Sequence, residues 1–415
     1  MLHRIDGDLH IEQVSLNEIK DSYGTPCYVY SEQAIQTAYR AFDEAFEGHP
    51  HDIRYAVKAN SNLAVLQTLA QLGSGFDIVS GGELTRVLAA GGDASKVVFS
   101  GVGKQDWEIE YALESGIGCI NVESASELHR IARICEANNR RAPISIRINP
   151  DVDPNTHPYI ATGLKENKFG VSIEEAISLY SEASNLSMFR IVGIDCHIGS
   201  QITDLTPFLD ALERILSVVD LLAQRGITLE HIDLGGGLGV RYQDEDPIDV
   251  SAFASAIGQL MSGRPQSLMF EPGRLIVANA GILLTSVIAL KSNAEKNFAV
   301  VDAAMNDLIR PALYSAWQEV VVVNEQATTR PQTWDIVGPV CETADFLAKD
   351  RELSLEEDGL LAIRSVGAYG FVMSSNYNSR GRAPEILVSG DRHYCVRRRE
   401  TIEDLLELES LKTAR

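Results

Sequence analysis

Short apolar segments alternate with amphipathic helical stretches from residue 53 to residue 270. The segments are rich in β-branched and aromatic residues, whereas the stretches between them repeat apolar side chains every three or four positions. The predicted strands are Ile53–Val57, Phe76–Val79, Val97–Ser100, Gly118–Val122, Ile144–Ile148, Ile191–Cys196, His231–Leu234 and Leu268–Phe270. The predicted helices between them are Leu63–Leu72, Glu83–Ala90, Gln105–Ser115, Ser126–Ala137, Ile173–Ala183, Pro207–Ala223 and Val250–Met261.

This strict alternation predicts an α/β fold with a parallel sheet. Eight β-α repeats over about 220 residues favour a TIM (β/α)8 barrel. An open, doubly wound sheet is the alternative, but it usually has fewer repeats and carries its glycine fingerprint after the first strand. Here the glycine-rich turn, Gly235–Gly239, follows the seventh strand. We therefore expect the barrel.

The pattern changes after about residue 275, where strand-like runs follow one another with few helices between them. These runs are Val287–Leu290, Phe298–Val301, Val320–Val323, Trp334–Val337, Leu360–Ile363 and Glu385–Val388. They predict a second, mostly antiparallel β domain. We assign residues 26–275 to the barrel and residues 276–415 to the β domain, which ends in a short helical tail at Thr401–Leu411. Residues 1–25 form a polar lead-in that we expect to join the β domain.

Composition narrows the class of protein. The formal net charge of the 415 residues is -22, a field that repels nucleic acid and anionic membranes. The N-terminus lacks an apolar signal region, and no apolar run is long enough to span a bilayer. None of the six cysteines forms a Cys-x-x-Cys pair, which argues against a disulfide framework and a zinc site. We expect a cytoplasmic protein with no resident metal.

Four unusual groups of residues follow predicted barrel strands. Lys58 follows the first strand, His197-Ile-Gly-Ser200 the sixth, Gly235-Gly-Gly-Leu-Gly239 the seventh and Glu271-Pro-Gly-Arg274 the eighth. A lysine that ends an apolar strand is most often a solvated side chain. In a TIM barrel, however, the carboxyl ends of the strands form the active-site face. The sequence therefore predicts that these four groups share one site.

The chemistry of these groups points to pyridoxal 5'-phosphate. A desolvated lysine can form an imine with an aldehyde, and the glycine turn offers backbone N–H groups to a phosphate. Glu271 can pair with a pyridine nitrogen, and His197 can stack on the ring. Taken alone, Gly235–Gly239 is equally a plain turn, and Glu271 with Arg274 is a local ion pair. In the β domain, Cys341-Glu342 follows a strand in a polar loop, where the cysteine could donate a proton.

These motifs together resemble the diaminopimelate decarboxylase family, within the alanine-racemase-like class of pyridoxal phosphate enzymes. The resemblance runs from about residue 25 to residue 390. The matching stretches are Tyr55-Ala-Val-Lys-Ala-Asn60, Gly163-Leu-Lys-Glu-Asn-Lys-Phe-Gly170, His197-Ile-Gly-Ser-Gln201, Gly235-Gly-Gly-Leu-Gly239, Glu271-Pro-Gly-Arg274, Arg310-Pro311, Cys341-Glu342, Gly367-Ala-Tyr-Gly370 and Met373-Ser-Ser-Asn-Tyr377. One departure concerns the turn after Glu342, where the family usually has Ser-Gly-Asp and this chain has Thr343-Ala344-Asp345.

The resemblance implies a role for each matching residue. Lys58, Cys341 and His197 would be catalytic, with Lys58 forming the imine and Cys341 donating the proton. The cofactor would contact Lys58, His197, Ser200, Gly235, Gly236, Gly237, Glu271, Gly273, Arg274 and Tyr369. The substrate would contact Arg274, Arg310, Tyr314, Glu342 and Tyr369. The resemblance also implies a homodimer with shared active sites, in which Cys341 and Glu342 reach the site from the partner subunit.

The implied reaction converts meso-2,6-diaminopimelate to L-lysine and CO2, the last step of lysine biosynthesis. Related enzymes decarboxylate ornithine or arginine, but the two arginines Arg274 and Arg310 would then lack a distal carboxylate to bind. Carboxynorspermidine is harder to exclude because it is also acidic at one end. A racemase would need a second base opposite Lys58. A non-catalytic binding protein on this fold is a further alternative, although such relatives tend to lose the lysine or the cysteine.

Overall fold

The computed structural model describes residues 1–153, 167–325 and 330–412. The chain divides into two compact units. The first, here called the barrel unit, contains residues 36–241 and 245–276. The second, here called the β unit, contains residues 1–35, residues 242–244 and the chain from residue 277 onward.

The N-terminal segment is more structured than a polar lead-in. Its elements are β1 (Leu2–Ile5), β2 (Asp8–Ile11), β3 (Val14–Ser15), α1 (Leu16–Tyr23) and β4 (Cys27–Ser31). Strands β1, β2 and β3 form their own antiparallel sheet. Helix α1 was not predicted, because its buried apolar residues are only Leu16 and Ile19; the Ser15 hydroxyl caps it by accepting from Asn17 N–H.

The barrel unit confirms the predicted fold. Its eight strands, all within the described chain, are β5 (His51–Ala56), β6 (Gly75–Ile78), β7 (Val97–Phe99), β8 (Cys119–Val122), β9 (Ala142–Arg147), β10 (Phe189–Asp195), β11 (His231–Asp233) and β12 (Ser267–Phe270). They close into a parallel barrel, with β12 pairing β5. The helices are α2 (Glu32–Ala45), α3 (Leu63–Gln71), α4 (Gly81–Ala89), α5 (Asp106–Ser115), α6 (Ala125–Ala137), α7 (Ile173–Ser184), α8 (Thr206–Gln224), α9 (Val250–Leu260) and α10 (Arg274–Val277).

Apolar packing holds the barrel on both sides of its sheet. Val98, Cys119, Val192 and Met269 form one buried cluster. Another group is aromatic, with the ring centroids of Phe46 and Phe270 4.4 Å apart. Burial of this apolar surface is the dominant favourable term in folding, so the strand ends are rigid supports for the residues that follow them.

The β unit is mostly antiparallel, as predicted. Its later elements are β13 (Gly281–Ser292), β14 (Asn297–Val301), α11 (Arg310–Tyr314), β15 (Val320–Val322), β16 (Gln332–Val337), β17 (Phe346–Leu353), β18 (Leu360–Ile363), β19 (Glu385–Ser389), β20 (Arg392–Arg397) and α12 (Ile402–Leu406). Two pairings are parallel, β14 with β16 and β19 with β4. Strand β4 also pairs with β13, so residues 27–31, which the predicted boundary gave to the barrel, lie in this second sheet.

The tail prediction is partly wrong. The helix α12 ends at Leu406, whereas the sequence predicted a helix to Leu411. Leu408 and Leu411 are almost fully exposed, so these apolar positions, which suggested a longer helix, do not pack on the described part of the chain. Among the described residues, none of the helices combines the length and the apolar character needed to cross a membrane.

Candidate active site

Lys58 lies at the carboxyl end of the first barrel strand, where the sequence placed it. Strand β5 ends at Ala56, and Val57–Ala59 form a 3₁₀ turn. The hydroxyl of Tyr55 donates to the carbonyl of Asn60 at 3.0 Å and braces this turn. The Lys58 ammonium donates to Asp77 Oδ2 at 2.6 Å. Asp77 is fully buried in β6, so a fixed carboxylate holds the lysine beside the barrel mouth.

Three carboxyl groups meet at the ends of neighbouring strands. Asp195 ends β10, Asp233 ends β11 and Glu271 directly follows β12. One oxygen of each lies within 4.8 Å of the others, and all three residues are buried. We call these three residues the carboxyl cluster. The Arg147 Nε lies 3.7 Å from Asp195 Oδ2, so a guanidinium already offsets part of the negative charge and disfavours a divalent cation there.

The carboxyl cluster has unusual acid–base properties. Burial raises the pKa of Asp233 to about 7, against hydrogen bonds from Gly235 N–H and Glu271 that lower it. Burial, and then the neighbouring carboxylates Asp233 and Asp77, raise the pKa of Glu271 well above its ordinary value. Three buried carboxyl groups at this spacing do not all ionise. The cluster therefore favours a positively charged group next to Glu271.

His197 is held in one tautomer. Its Nδ1 accepts from the Gly236 N–H at 3.2 Å, which leaves the proton of the neutral ring on Nε2. Burial, assisted by the charges of Arg147 and Lys58, lowers the pKa of His197 well below its ordinary value. The residue therefore presents a neutral imidazole, which is suited to lie against an aromatic ring.

The glycine turn is shaped by close packing between loops. A Cβ at Gly235 would lie 2.5 Å from His197 Nδ1, and one at Gly236 would lie 2.3 Å from the Glu271 carbonyl oxygen. The N–H groups of these two glycines are already used, by Asp233 Oδ1 and His197 Nδ1 respectively. Gly237 has a φ of 110°, and its N–H has no hydrogen-bond partner among the described residues. Of the three predicted glycine contacts with the phosphate, Gly237 is therefore the one whose N–H fits that role best.

Ser200 and Arg274 are joined across two loops of the barrel unit. The Arg274 guanidinium donates to Ser200 Oγ at 3.0 Å, and Arg274 is buried. A Cβ at Gly273 would approach the Cβ atoms of Ala56 and Ala59 within 3.0 Å. Glycine therefore lets the Glu271–Arg274 turn lie directly against the turn that carries Lys58.

Arg310 is surrounded by tyrosine rings in the β unit. Its Cζ lies 5.5 Å from the ring centroid of Tyr314, 5.7 Å from that of Tyr242 and 6.0 Å from that of Tyr369. Tyr369 has a φ of 56°, a conformation that a bulky residue rarely adopts and that marks a functional constraint. The structure thus brings together three predicted substrate contacts, and it adds Tyr242.

Cys341 and Glu342 lie in a different, exposed loop of the β unit. The Cys341 N–H donates to Asn378 Oδ1 at 3.0 Å. Asp345 organises the loop, since its carboxylate accepts from Val340 N–H at 2.7 Å and from Met305 N–H at 2.6 Å. Ala344 is not among the residues with positive φ, so the turn does not need the glycine that the family usually has there.

Several polar residues of the site escaped the sequence analysis. Asp77, Arg147, Asp195 and Asp233 were counted within apolar strands, although a charge in a buried strand was itself a signal. Tyr242 follows the glycine turn and carried no signal of its own. Of the motif Gly163–Gly170, residues 163–166 lie outside the described residues, while the Gly170 N–H donates to Glu123 Oε2 at 3.1 Å.

Known proteins resemble this chain over almost its whole length. Residues 32–278 match the family described as pyridoxal-dependent decarboxylase, pyridoxal binding domain. The diaminopimelate decarboxylase of Pseudomonas aeruginosa is 59% identical over 406 residues, which cover 98% of each chain.

Solved structures give the same result. The diaminopimelate decarboxylase of Helicobacter pylori, complexed with L-lysine, has a TM-score of 0.92 and 43% identity, covering 95% of this chain and 98% of that one. The M. jannaschii diaminopimelate decarboxylase in complex with L-lysine has a TM-score of 0.94 and 38% identity, covering 99% and 98%.

Proposed function

This chain belongs to the diaminopimelate decarboxylase family of pyridoxal-dependent enzymes, and we propose that it converts meso-2,6-diaminopimelate to L-lysine and CO2. The observation that carries the proposal is the common strand-end face of the barrel. There, Lys58 is held by a buried carboxylate, and Glu271 lies in a cluster that favours a neighbouring positive charge. Those two features suit an amine-bound aldehyde whose ring nitrogen is protonated.

The residues of the barrel unit fit pyridoxal 5'-phosphate. The Oε1 of Glu271 is buried and has no hydrogen-bond partner among the described residues, so a ring N–H would satisfy it. The Gly237 N–H suits the phosphate, and the flat face of His197 suits the ring. Lys58 would hold the aldehyde carbon. When bound, the cofactor supplies an electron sink for the pair released as the carboxylate departs.

Within this scheme the protein orients groups and controls protons. Asp77 accepts a hydrogen bond from the Lys58 amine and would keep that amine in place beside the cofactor. Glu271 would accept the hydrogen bond of a protonated ring nitrogen, and that positive charge would offset the cost of ionising Glu271, which burial and then Asp233 and Asp77 impose. Gly236 keeps His197 neutral by donating to Nδ1. A neutral His197 would place no positive charge against the protonated ring of the cofactor.

The substrate end is assigned to the β unit. Arg310 and Tyr314 suit the distal carboxylate, and Tyr369 suits either the substrate or the phosphate. A bidentate guanidinium–carboxylate contact is strong and directional, so Arg310 would select substrates that keep a distal amino acid group. Ornithine and arginine lack that second carboxylate.

Cys341 would donate the proton that replaces CO2, and Glu342 would take the distal ammonium. Both residues are exposed in the single chain, whereas a proton donor to a carbanion works best where water is excluded. This exposure supports a homodimer in which the loop carrying Cys341 and Glu342 completes the active site of the partner subunit. We also propose a cytoplasmic location, supported by six free cysteines and the acidic net charge.

The test is CO2 release by purified protein, with and without added pyridoxal 5'-phosphate. Meso-diaminopimelate, L-ornithine, L-arginine and carboxynorspermidine are the parallel substrates. We expect cofactor-dependent release from meso-diaminopimelate alone, with L-lysine as the product. Release only from another substrate would retain the cofactor chemistry and overturn the assignment of Arg310 and Glu342. The absence of release from any substrate would favour a non-catalytic role.

A further inference from the structure

Tyr242 contacts a predicted substrate arginine without having an assigned role. Its ring centroid lies 5.7 Å from Arg310 Cζ, as close as the rings of Tyr314 and Tyr369 within a few tenths of an ångström. Arg310 itself is only 8% exposed. A buried guanidinium therefore faces three phenol rings from three separate parts of the sequence.

Aromatic rings stabilise a cation differently from a carboxylate. The negative face of each ring attracts the guanidinium, but the ring brings no full charge that would compete for a carboxylate ligand. Rings on several sides also restrict the orientation of a long side chain, which lowers the ordering cost when a ligand binds.

The loop that carries Tyr242 is itself fixed. The side-chain amide of Gln201 donates to the Val240 carbonyl at 2.6 Å, and its oxygen accepts from the Val240 N–H at 3.1 Å. Arg241 directly precedes Tyr242, and its Nε donates to the carbonyl of Glu245 at 2.7 Å. Hydrogen bonds therefore hold the chain on both sides of Tyr242.

We propose that Tyr242 is a positioning residue that orients the Arg310 guanidinium for the distal carboxylate of the substrate. This inference rests on the proposed function and extends it to the residue that sets specificity. The ring face does the positioning, so the hydroxyl is dispensable. Tyr242 thereby acts on recognition of the carboxylate and leaves cofactor binding to the barrel unit.

The experiment compares the holoenzyme with Tyr242→Phe and Tyr242→Leu. L-Lysine keeps the distal carboxylate and cadaverine lacks it, so calorimetric binding of these two compounds isolates that group. We expect Tyr242→Leu to weaken L-lysine binding and raise the KM for meso-diaminopimelate by about 3- to 30-fold, the range of a partly desolvated cation–π contact. We expect kcat, cofactor content and cadaverine binding to stay within about twofold. Tyr242→Phe should match the wild type.

The controls separate positioning from general damage. Tyr394 is an exposed tyrosine of β20, and Tyr394→Leu should leave all readouts unchanged. If Tyr242→Leu does not fold, Tyr242→Gln removes the ring while keeping a polar side chain, and it should give the same loss of L-lysine binding.

Three results would overturn the inference while the proposed function stands. They are unchanged L-lysine binding in Tyr242→Leu, an equal loss in Tyr242→Phe, and an equal loss of cadaverine binding. A wild-type holoenzyme that releases no CO2 from meso-diaminopimelate would overturn the proposed function itself, and this inference with it.

Discussion

Two ion pairs, one in each unit of this protein, lie in opposite environments. In the barrel unit, Lys104 is fully buried and donates to Glu127 Oε1 at 2.9 Å and to two backbone carbonyls. In the β unit, Arg398 and Asp404 form a pair whose arginine side chain is 68% exposed. The proposed functional residues show the same contrast, since Asp77 and Glu271 are buried whereas Cys341 and Glu342 are exposed.

This difference suggests that the buried and the exposed residues have different roles in the proposed reaction. Buried groups keep a fixed geometry, which suits residues that are proposed to hold a cofactor. Exposed loops cannot exclude water by themselves, which suits groups that complete a site only when another surface covers them. We therefore expect variants in the barrel unit to affect cofactor binding and folding, and variants in the β unit to affect substrate turnover.

The largest expected effect comes from Lys58→Ala. If Lys58 holds the cofactor as proposed, its loss removes the point of attachment and the amine that releases the product by exchange, so we expect CO2 release to fall by about 10⁴-fold or more. The visible absorbance of bound cofactor that borohydride bleaches should also disappear. The matched control is Lys96→Ala, which removes a lysine that donates to the Gly73 carbonyl near the surface. Retention of the bleachable band in Lys58→Ala would show that the wrong lysine has been assigned.

Lys104→Met tests whether the barrel depends on its buried charges. The change leaves Glu127 buried without its cation, which typically costs about 3–5 kcal/mol in the free energy of unfolding. Chemical denaturation measures this loss. The comparison variant in the β unit is Arg398→Gln, which should leave the free energy of unfolding nearly unchanged because the pair is exposed to water. Equal losses in the two variants would contradict the contrast between the units.

The barrel could be predicted because its periodicity is carried by every repeat. A closed parallel barrel buries the strands on both faces, so each strand appears as a nearly continuous apolar run. Lys58 and Glu271 were also recognisable, because both lie just beyond such a run. The carboxyl cluster was not recognised. Only the register of the closed sheet places Arg147 beside Asp195 and Asp195 beside Asp233.

Prediction was poorer in the β unit because its pairing is not local. Strands β17 and β20 carry polar residues at many positions and were missed, since edge and exposed strands lack an apolar run. Strand β4 pairs with β13 and β19, which lie more than 200 residues away in the sequence. The Arg310–Tyr242 contact has the same cause, because no sequence pattern links two residues that only the fold brings together.

Subunit mixing tests the exposed half of the site. Cys341→Ala removes the proposed proton donor and should lower activity by about 10²-fold or more. If each site combines Lys58 of one subunit with Cys341 of its partner, a Lys58→Ala/Cys341→Ala mixed dimer contains one intact site. Equal mixing after subunit exchange should then restore about a quarter of the wild-type activity. Inactivity of the mixture would mean that both residues must come from the same chain.

The last expected effect is a pH dependence of folding that originates in the barrel unit. His231 lies in β11 with only 8% of its surface exposed, and its ring fills the space beside Gly193. Burial, assisted by the charge of Arg54, lowers its pKa to about 4 from an ordinary value of 6.5. The unfolded chain therefore binds a proton that the folded chain refuses, so stability is complete above pH 6.5 and falls as the pH drops towards 4. We expect this residue to lower the free energy of unfolding by about 3 kcal/mol between pH 7 and pH 4.

The variant His231→Leu cannot titrate at this position. The difference in unfolding free energy between the variant and the wild type should therefore shift by that amount in favour of the variant as the pH falls. Taking this difference cancels the opposite contributions of buried carboxyl groups such as Asp233. A difference that is constant with pH would show that the His231 ring is accessible to protons in the folded barrel.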